Sequence, residues 1–187
     1  MAKEKKQPRL KKKYEKEIIP AMMEEFELEN KMALPRIEKI SINVGVGKIG
    51  VEKNTKAIEQ IAENITAITG QKPIITKSKK SIASFKLREG MDVGMKVTMR
   101  GNRMYEFLDR LISIALPRIR DFRGLNPNSF DGQGNYSLGI NEHVVFPEVK
   151  IENTESIHGL QITIKLNKKD KKMGRGLLEH FGFPFKK

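Results

Sequence analysis

Residues 70–101 read GQKPIITKSKKSIASFKLREGMDVGMKVTMRG, and the reading of this stretch decides the fold. Toward its end Met95, Val97 and Met99 alternate with Lys96, Thr98 and Arg100, so a period of two puts three apolar groups on one face of a strand and three polar groups on the other. Earlier in the stretch, Lys72, Lys77, Lys79, Lys80, Lys86 and Arg88 supply six cations with no acidic residue from 72 to 88. A solvated face ordinarily mixes both signs, so a one-signed cluster held beside folded strands marks a footprint for phosphates. Pro73 to Lys77 reads as a short strand and Ser78 to Ser84 as a loop. Phe85 to Arg88 then begins a hairpin that turns near 90–94.

Working upstream, Ile40, Ile42 and Val44 alternate with Ser41 and Asn43 in another half-buried strand. It runs into Gly45-Val46-Gly47-Lys48-Ile49-Gly50, which fits G-x-G-x-x-G. A dinucleotide-binding turn is the tempting reading, but such a strand is buried on both faces, whereas Ser41 and Asn43 make this one two-faced. The helix that follows also starts late, with Asn54 as N-cap, a stripe of Ile58, Ile61, Ile65 and Ile68, and Gly70 as its end. The glycines therefore read as a bulge or tight exit, with Lys48 free for a phosphate. Upstream again, Leu10, Tyr14, Ile18, Met22 and Phe26 predict an amphipathic helix that Pro20 kinks or restarts, and Pro35 marks a break.

Downstream, Asn102 caps a helix whose stripe is Met104, Phe107, Leu108, Leu111, Ile112 and Ala115, and Pro117 stops it. Residues 118–142 are rich in Gly, Asn and Ser and read as one long functional loop, led by Arg118, Arg120 and Arg123, which suit phosphate or carboxylate contact. Leu160, Ile162, Ile164 and Leu166 against Gln161, Thr163 and Lys165 predict the last strand, and Asp170 caps a closing helix that Gly174 and Gly176 weaken.

The formal net charge of +13 over 187 residues is concentrated: residues 1–17 carry +5, residues 72–88 carry +6 and residues 165–175 carry +5. Such clusters favour a nucleic acid or an anionic membrane surface. No apolar run of about 18 residues spans a bilayer and no signal-type apolar segment follows the basic start, so the cytoplasm is the expected compartment. A peripheral membrane role for the N-terminal helix is the weaker reading, because its apolar stripe suits packing on a core. The chain has no cysteine, hence no disulfide or thiolate site. Its three histidines, His143, His158 and His180, lack ligand-like spacing and read as structural or surface residues, so neither metal nor cofactor is expected. Without a nucleophile or a His–carboxylate motif, an enzyme built on the GVGKIG turn has no reacting group.

These patterns predict a two-layer α+β fold, with an antiparallel or mixed sheet and helices packed on one face, as in RRM-like proteins. Residues 1–9 are expected as a flexible basic tail and 10–187 as one domain with the long loop at 118–142. The open face would carry Asn43, Lys96, Thr98 and Arg100, with Gln161, Thr163 and Lys165. Interleaved aromatics are missing there and only Phe85 is near, so structured RNA recognised through shape, phosphate and 2′-OH contacts is favoured over a splayed single strand.

The stretch at 70–101, together with RMYEFLDRLISIALPRIRDFRG, SFDGQGNYSLGINEHVVFPE and the terminal FGFPF, resembles the family of the fifth protein of the bacterial large ribosomal subunit, in order from about residue 10 to the end. That resemblance implies a structural ribosomal protein that binds 5S ribosomal RNA and anchors it in the central protuberance, alongside large-subunit ribosomal RNA and neighbouring ribosomal proteins. It implies RNA contact from sheet residues, pointing to Asn43, Gln71, Phe85 and Thr98. It further implies that the loop at 76–84, including Thr76, Lys77, Ser78, Lys79, Lys80 and Ser81, reaches P-site transfer RNA. The 118–142 region, with Arg118, Arg120, Arg123, Asn135 and Tyr136, would face a small-subunit head protein as an intersubunit bridge. The chain departs from the family in its additional basic lead, KEKKQPRLKKK, and in the lysine-rich approach to the last helix.

Overall fold

The computed structural model describes residues 7–51, 54–149 and 157–186, with the backbone alone at position 48. In chain order, helix α1 covers 9–25, strand β1 is Ile37–Gly45, α2 is Gly47–Val51 and α3 is Thr55–Thr69. Strands β2 (Ile74–Lys77) and β3 (Asp92–Met99) follow, then α4 over 101–118, β4 (Tyr136–Ile140), β5 (Leu160–Leu166) and α5 (Lys171–Phe181). The strands form one open antiparallel sheet in the order β2-β3-β1-β5-β4, with helices, so the two-layer α+β expectation holds.

By their contacts the residues divide into two compact units. The first comprises Met1–Ile40, Met99–Leu138 and Thr163–Lys187. Its core takes Leu10, Ile18 and Met22 from α1, Phe107, Leu108 and Leu111 from α4, and Leu177, Leu178 and Phe181 from α5. Tyr14 stacks on Phe181 with ring centroids 5.8 Å apart and donates its hydroxyl to the Pro35 carbonyl at 3.2 Å. The stripe that a membrane reading would need is thus spent on packing. Both long helices open into a π turn one residue ahead of a proline: Ile19 N–H bonds Tyr14 O before Pro20, and Leu116 N–H bonds Leu111 O before Pro117. The wider turn re-registers the ladder where the proline ring has no N–H to give, so α1 passes through Pro20 without breaking. Asp170 caps α5 by accepting from Lys172 N at 2.8 Å and Met173 N at 3.2 Å. Gly174 in that helix lies where an added Cβ would come within 2.9 Å of Leu166 Cδ1 and 3.1 Å of the Gly134 carbonyl, so close packing outweighs its poor helix propensity.

The second unit comprises Ser41–Thr98 and Gly139–Ile162. Here Asn54 Oδ1 accepts from Ala57 N at 3.1 Å and Gly70 ends α3 in the left-handed conformation, as the sequence predicts. Ile58, Ile61, Ile65 and Ile68 are all buried, each stabilising the unit by roughly 1.5–3 kcal/mol. His143 and His158, far apart in sequence and read there as isolated, stack in the core of this unit with ring centroids 3.9 Å apart and planes at 2°. Burial together with the charge of His143 pushes His158 down to about 4, and burial lowers His143 as well. Both imidazoles are therefore held neutral. For His158 a depressed folded-state value means that its contribution is fully present above the unfolded value near 6.5 and drains away as the pH falls from there toward 4, and the lowered His143 acts in the same direction. For His158 the loss by pH 4.5 is expected to be roughly 2–3 kcal/mol, seen as a falling urea midpoint. The variant His158→Phe should flatten that slope.

Four local expectations change. Asn102 does not cap α4 but lies inside its first turn, because the helix already starts at Gly101 after an extended Arg100, with no side-chain capping bond. The G-x-G-x-x-G segment is not a bare turn, since Gly47–Val51 makes a short helix before Asn54 starts the long one. The expected hairpin at 85–94 is replaced by a larger one, in which β2 pairs with β3 antiparallel through Ile74↔Lys96, Ile75↔Met95 and Thr76↔Gly94. Strand β3 starts at Asp92, because the edge-on partner for its first half is β2 rather than its own preceding residues. The 118–142 loop stops short of its predicted end, as Tyr136, Leu138 and Ile140 alternate buried with Ser137 and Gly139 in β4.

Candidate nucleic-acid interface

The open face is assembled by alternation. In β1 the side chains of Ile42 and Val44 go to the core while Ser41 and Asn43 stay half-buried on the other side. In β3 Met95 and Val97 go in, leaving Lys96 exposed and Thr98 half-buried opposite them. Asn43, Lys96 and Thr98 thus belong to one polar sheet face of the second unit. Gln161 joins them from β5, exposed between the buried Leu160 and Ile162. The pairing Ile74↔Lys96 adds Ile74 to the same face, where it is 73% exposed. Sequence reasoning missed it, because a four-residue strand carries no sign of which side faces the core.

Gln71 and Phe85 lie off the strands, contrary to the placement that the resemblance implied. Gln71 follows the left-handed Gly70, where Thr69 Oγ1 donates to its carbonyl at 3.0 Å, and its Oε1 is buried without a hydrogen-bond partner. Phe85 sits in a 3-10 turn, Ala83–Phe85, and is 71% exposed. The side chain of Lys48 falls outside the described residues, although its backbone lies in α2. Arg100, exposed, precedes α4 in the first unit.

The loop joining β2 to β3 is a hydrogen-bonded arm. Ser78 N–H bonds Met91 O at 2.8 Å, Gly90 N–H bonds Ser78 O at 3.0 Å, and Ile82 and Leu87 exchange backbone bonds at 2.9 and 3.1 Å. Ser78 Oγ donates to Lys80 O at 2.7 Å, and the Glu89 N–H donates to Ser81 Oγ at 2.9 Å. Thr76, Lys77, Lys79, Lys80 and Ser81 are exposed along this arm, with Ser78 half-buried. Among the described residues none of the six cations from Lys72 to Arg88 has an acidic partner within ion-pair distance. An unneutralised cationic arm beside a hydrogen-bonding sheet face is chemically suited to a phosphate backbone.

In the first unit, Glu38 and Lys165 pair at 3.0 Å, and that hydrogen bond holds the Glu38 carboxyl below its ordinary range. Arg118, Arg120 and Arg123 are exposed. Asn135 and Tyr136 are committed internally. Asn135 Nδ2 donates to Asp131 Oδ2 at 2.8 Å and its Oδ1 accepts from Leu166 N at 3.1 Å. Tyr136 is 1% exposed and donates its hydroxyl to Asn126 O at 3.0 Å. Among the described residues no cluster of three or more His, Asp or Glu could hold a metal ion.

This is the class of open-faced α+β sheets with a cationic arm, a scaffold that presents a surface rather than a reaction centre. A family profile described as ribosomal protein L5 matches residues 30–88, and a second profile, for the C-terminus of the same ribosomal family, matches residues 92–185. The chain is 52% identical to the large ribosomal subunit protein uL5 of Thermoanaerobacter sp. (strain X514) over 179 residues, which cover 96% of this chain and 99% of that one. It is also 52% identical to that of Dichelobacter nodosus over 178 residues (95% and 98%), and 51% identical to that of Halothermothrix orenii over 172 residues (92% and 95%). The chain belongs to the ribosomal protein L5 family. It is accordingly a structural, non-enzymatic constituent of the ribosome, and its compartment is the cytoplasm.

Proposed function

We propose that this protein binds 5S ribosomal RNA in the large subunit through the polar sheet face of its second unit and anchors that RNA in the central protuberance. Asn43, Thr98 and Lys96 act there by hydrogen bonding and charge, with Lys48, Gln71, Phe85 and Arg100 contributing around them. The arm at 76–81 reaches P-site transfer RNA, and the exposed Arg118, Arg120 and Arg123 take part in a bridge to a small-subunit head protein. The observation that carries this reading is the cationic arm, without an acidic partner among the described residues, attached to a sheet that keeps Lys96 exposed and Asn43 and Thr98 half-buried opposite the core.

Filter binding of 5S RNA across a salt titration tests it. Asn43→Ala with Thr98→Ala is expected to weaken binding roughly thirtyfold with the salt slope nearly unchanged, since each of the two lost hydrogen bonds costs about 1 kcal/mol. Lys79→Ala with Lys80→Ala should leave 5S binding largely intact while weakening transfer-RNA contact in assembled ribosomes. Wild-type 5S binding by the sheet variant, or a salt slope near zero for the native chain, would remove the proposed interface.

A further inference from the structure

A second basic surface lies in the first unit. A cleft of about 450 Å³ opens between α1, α4 and the end of α5. Arg9, Lys12, Lys13 and Lys16 line it from α1, at spacings of three and four residues that bring them to one side of the helix, roughly one turn or about 5.4 Å apart. Leu10, at the floor of the cleft, and Ile18 are buried, so the backbone that carries the cations is packed on the core. The acidic groups in the cleft are Glu17 and Asp109. Asp109 is already spent on Arg9, accepting from Nε at 3.1 Å and Nη2 at 2.6 Å, and Ser113 Oγ stands 3.3 Å from the same Nη2. That fork fixes the guanidinium plane and leaves its remaining N–H groups to a ligand.

We infer that this cleft is a separate binding site for the phosphate backbone of an RNA strand, distinct in every residue from the sheet face and the arm. Cations repeated at a helical turn along a groove fit successive phosphates of one strand, and Lys12 and Lys16, both exposed and without a partner among the described residues, would each neutralise one. The inference rests on the reading of the chain as an RNA-binding ribosomal protein and adds a second RNA segment to it.

The test uses the full chain, an RNA duplex of about 16 base pairs of arbitrary sequence and 5S RNA. Lys12→Ala with Lys16→Ala is expected to lower the magnitude of the duplex salt slope by about two, while Lys31→Ala with Lys56→Ala, on exposed lysines elsewhere, leaves it unchanged. Because the chain has no cysteine, Ser113→Cys carries a single fluorophore into the cleft, and its emission should respond to duplex RNA and lose that response in the Lys12/Lys16 background. Equal slope loss in the two lysine pairs, or an unresponsive fluorophore, would overturn the inference. So would polyglutamate displacing the duplex at equal charge concentration, which would mark the cleft as a seat for an acidic peptide. If the cleft variants bind like the native chain while Asn43→Ala with Thr98→Ala loses 5S RNA, the cleft inference falls and the proposed function stands. If the sheet variant also binds 5S RNA normally, both fall.

Discussion

Gly50→Ala is expected to destabilise the protein by about 3 kcal/mol or more, whereas Gly45→Ala in the same G-x-G-x-x-G segment should change stability by about 0.5 kcal/mol or less. A methyl built on Gly50 would sit well inside van der Waals contact of the Asp92 carbonyl oxygen, a backbone atom that cannot swing aside like a side-chain tip. At Gly45 nothing lies within 4 Å of the added carbon, and at Gly47 the nearest atom is a Val93 methyl at an ordinary 3.5 Å. The glycine requirement is therefore the approach of α2 to the first residue of β3. A nucleotide-phosphate turn would make demands at the two earlier glycines as well, and those two have room for a methyl here. Asp92 pairs with Lys77 at the root of the cationic arm, so the Gly50 variant should also loosen the arm. Urea unfolding of the two variants side by side measures the contrast, and equal effects would refute the steric account.

The second large effect is expected at Tyr136. Tyr136→Ala should cost about 3–5 kcal/mol, as for other large aromatics removed from a core. The ring lies 4.7 Å from Phe130 and 5.5 Å, edge-on, from Phe185, so its loss opens a cavity inside an aromatic cluster and leaves the Asn126 carbonyl without its donor. Tyr136→Phe keeps the ring and loses the hydroxyl, for which about 1 kcal/mol is expected. The pair of variants separates packing from contact. With the side chain inside the first unit, Tyr136→Phe should leave the joining of ribosomal subunits unchanged in a sedimentation assay. A joining defect in that variant, without a matching loss of stability, would show that the hydroxyl reaches a partner.

How far the residues were legible follows from where their information resides. Alternation in β1, β3 and β5 is local, so Asn43, Lys96 and Thr98 could be placed on one polar face from spacing alone. The caps at Asn54 and Asp170 are local as well, because a side chain three residues away from an orphan N–H has few other uses. Strand β4 was hidden, since Ser137 and Gly139 match the composition of the loop before it and its pairing partner β5 lies well downstream in the chain. The stacking of His143 on His158 was hidden for the same reason. Two imidazoles so far apart along the chain announce nothing until it closes around them.

By itself, then, the sequence determined the periodic layers, the helix ends and the one-signed charge of the arm, because each depends on residues within a turn or two of one another. Only the tertiary structure decided that β2 pairs with β3 so that Ile74 stands beside Lys96. It alone decided that Gly50 must be bare, that Tyr136 is core, and that Lys12 and Lys16 line a cleft with an Arg9 already anchored by Asp109. Those outcomes are set by which surfaces meet across long stretches of chain, and closing such stretches is governed by the summed packing of a whole unit rather than by the preference of any segment within it.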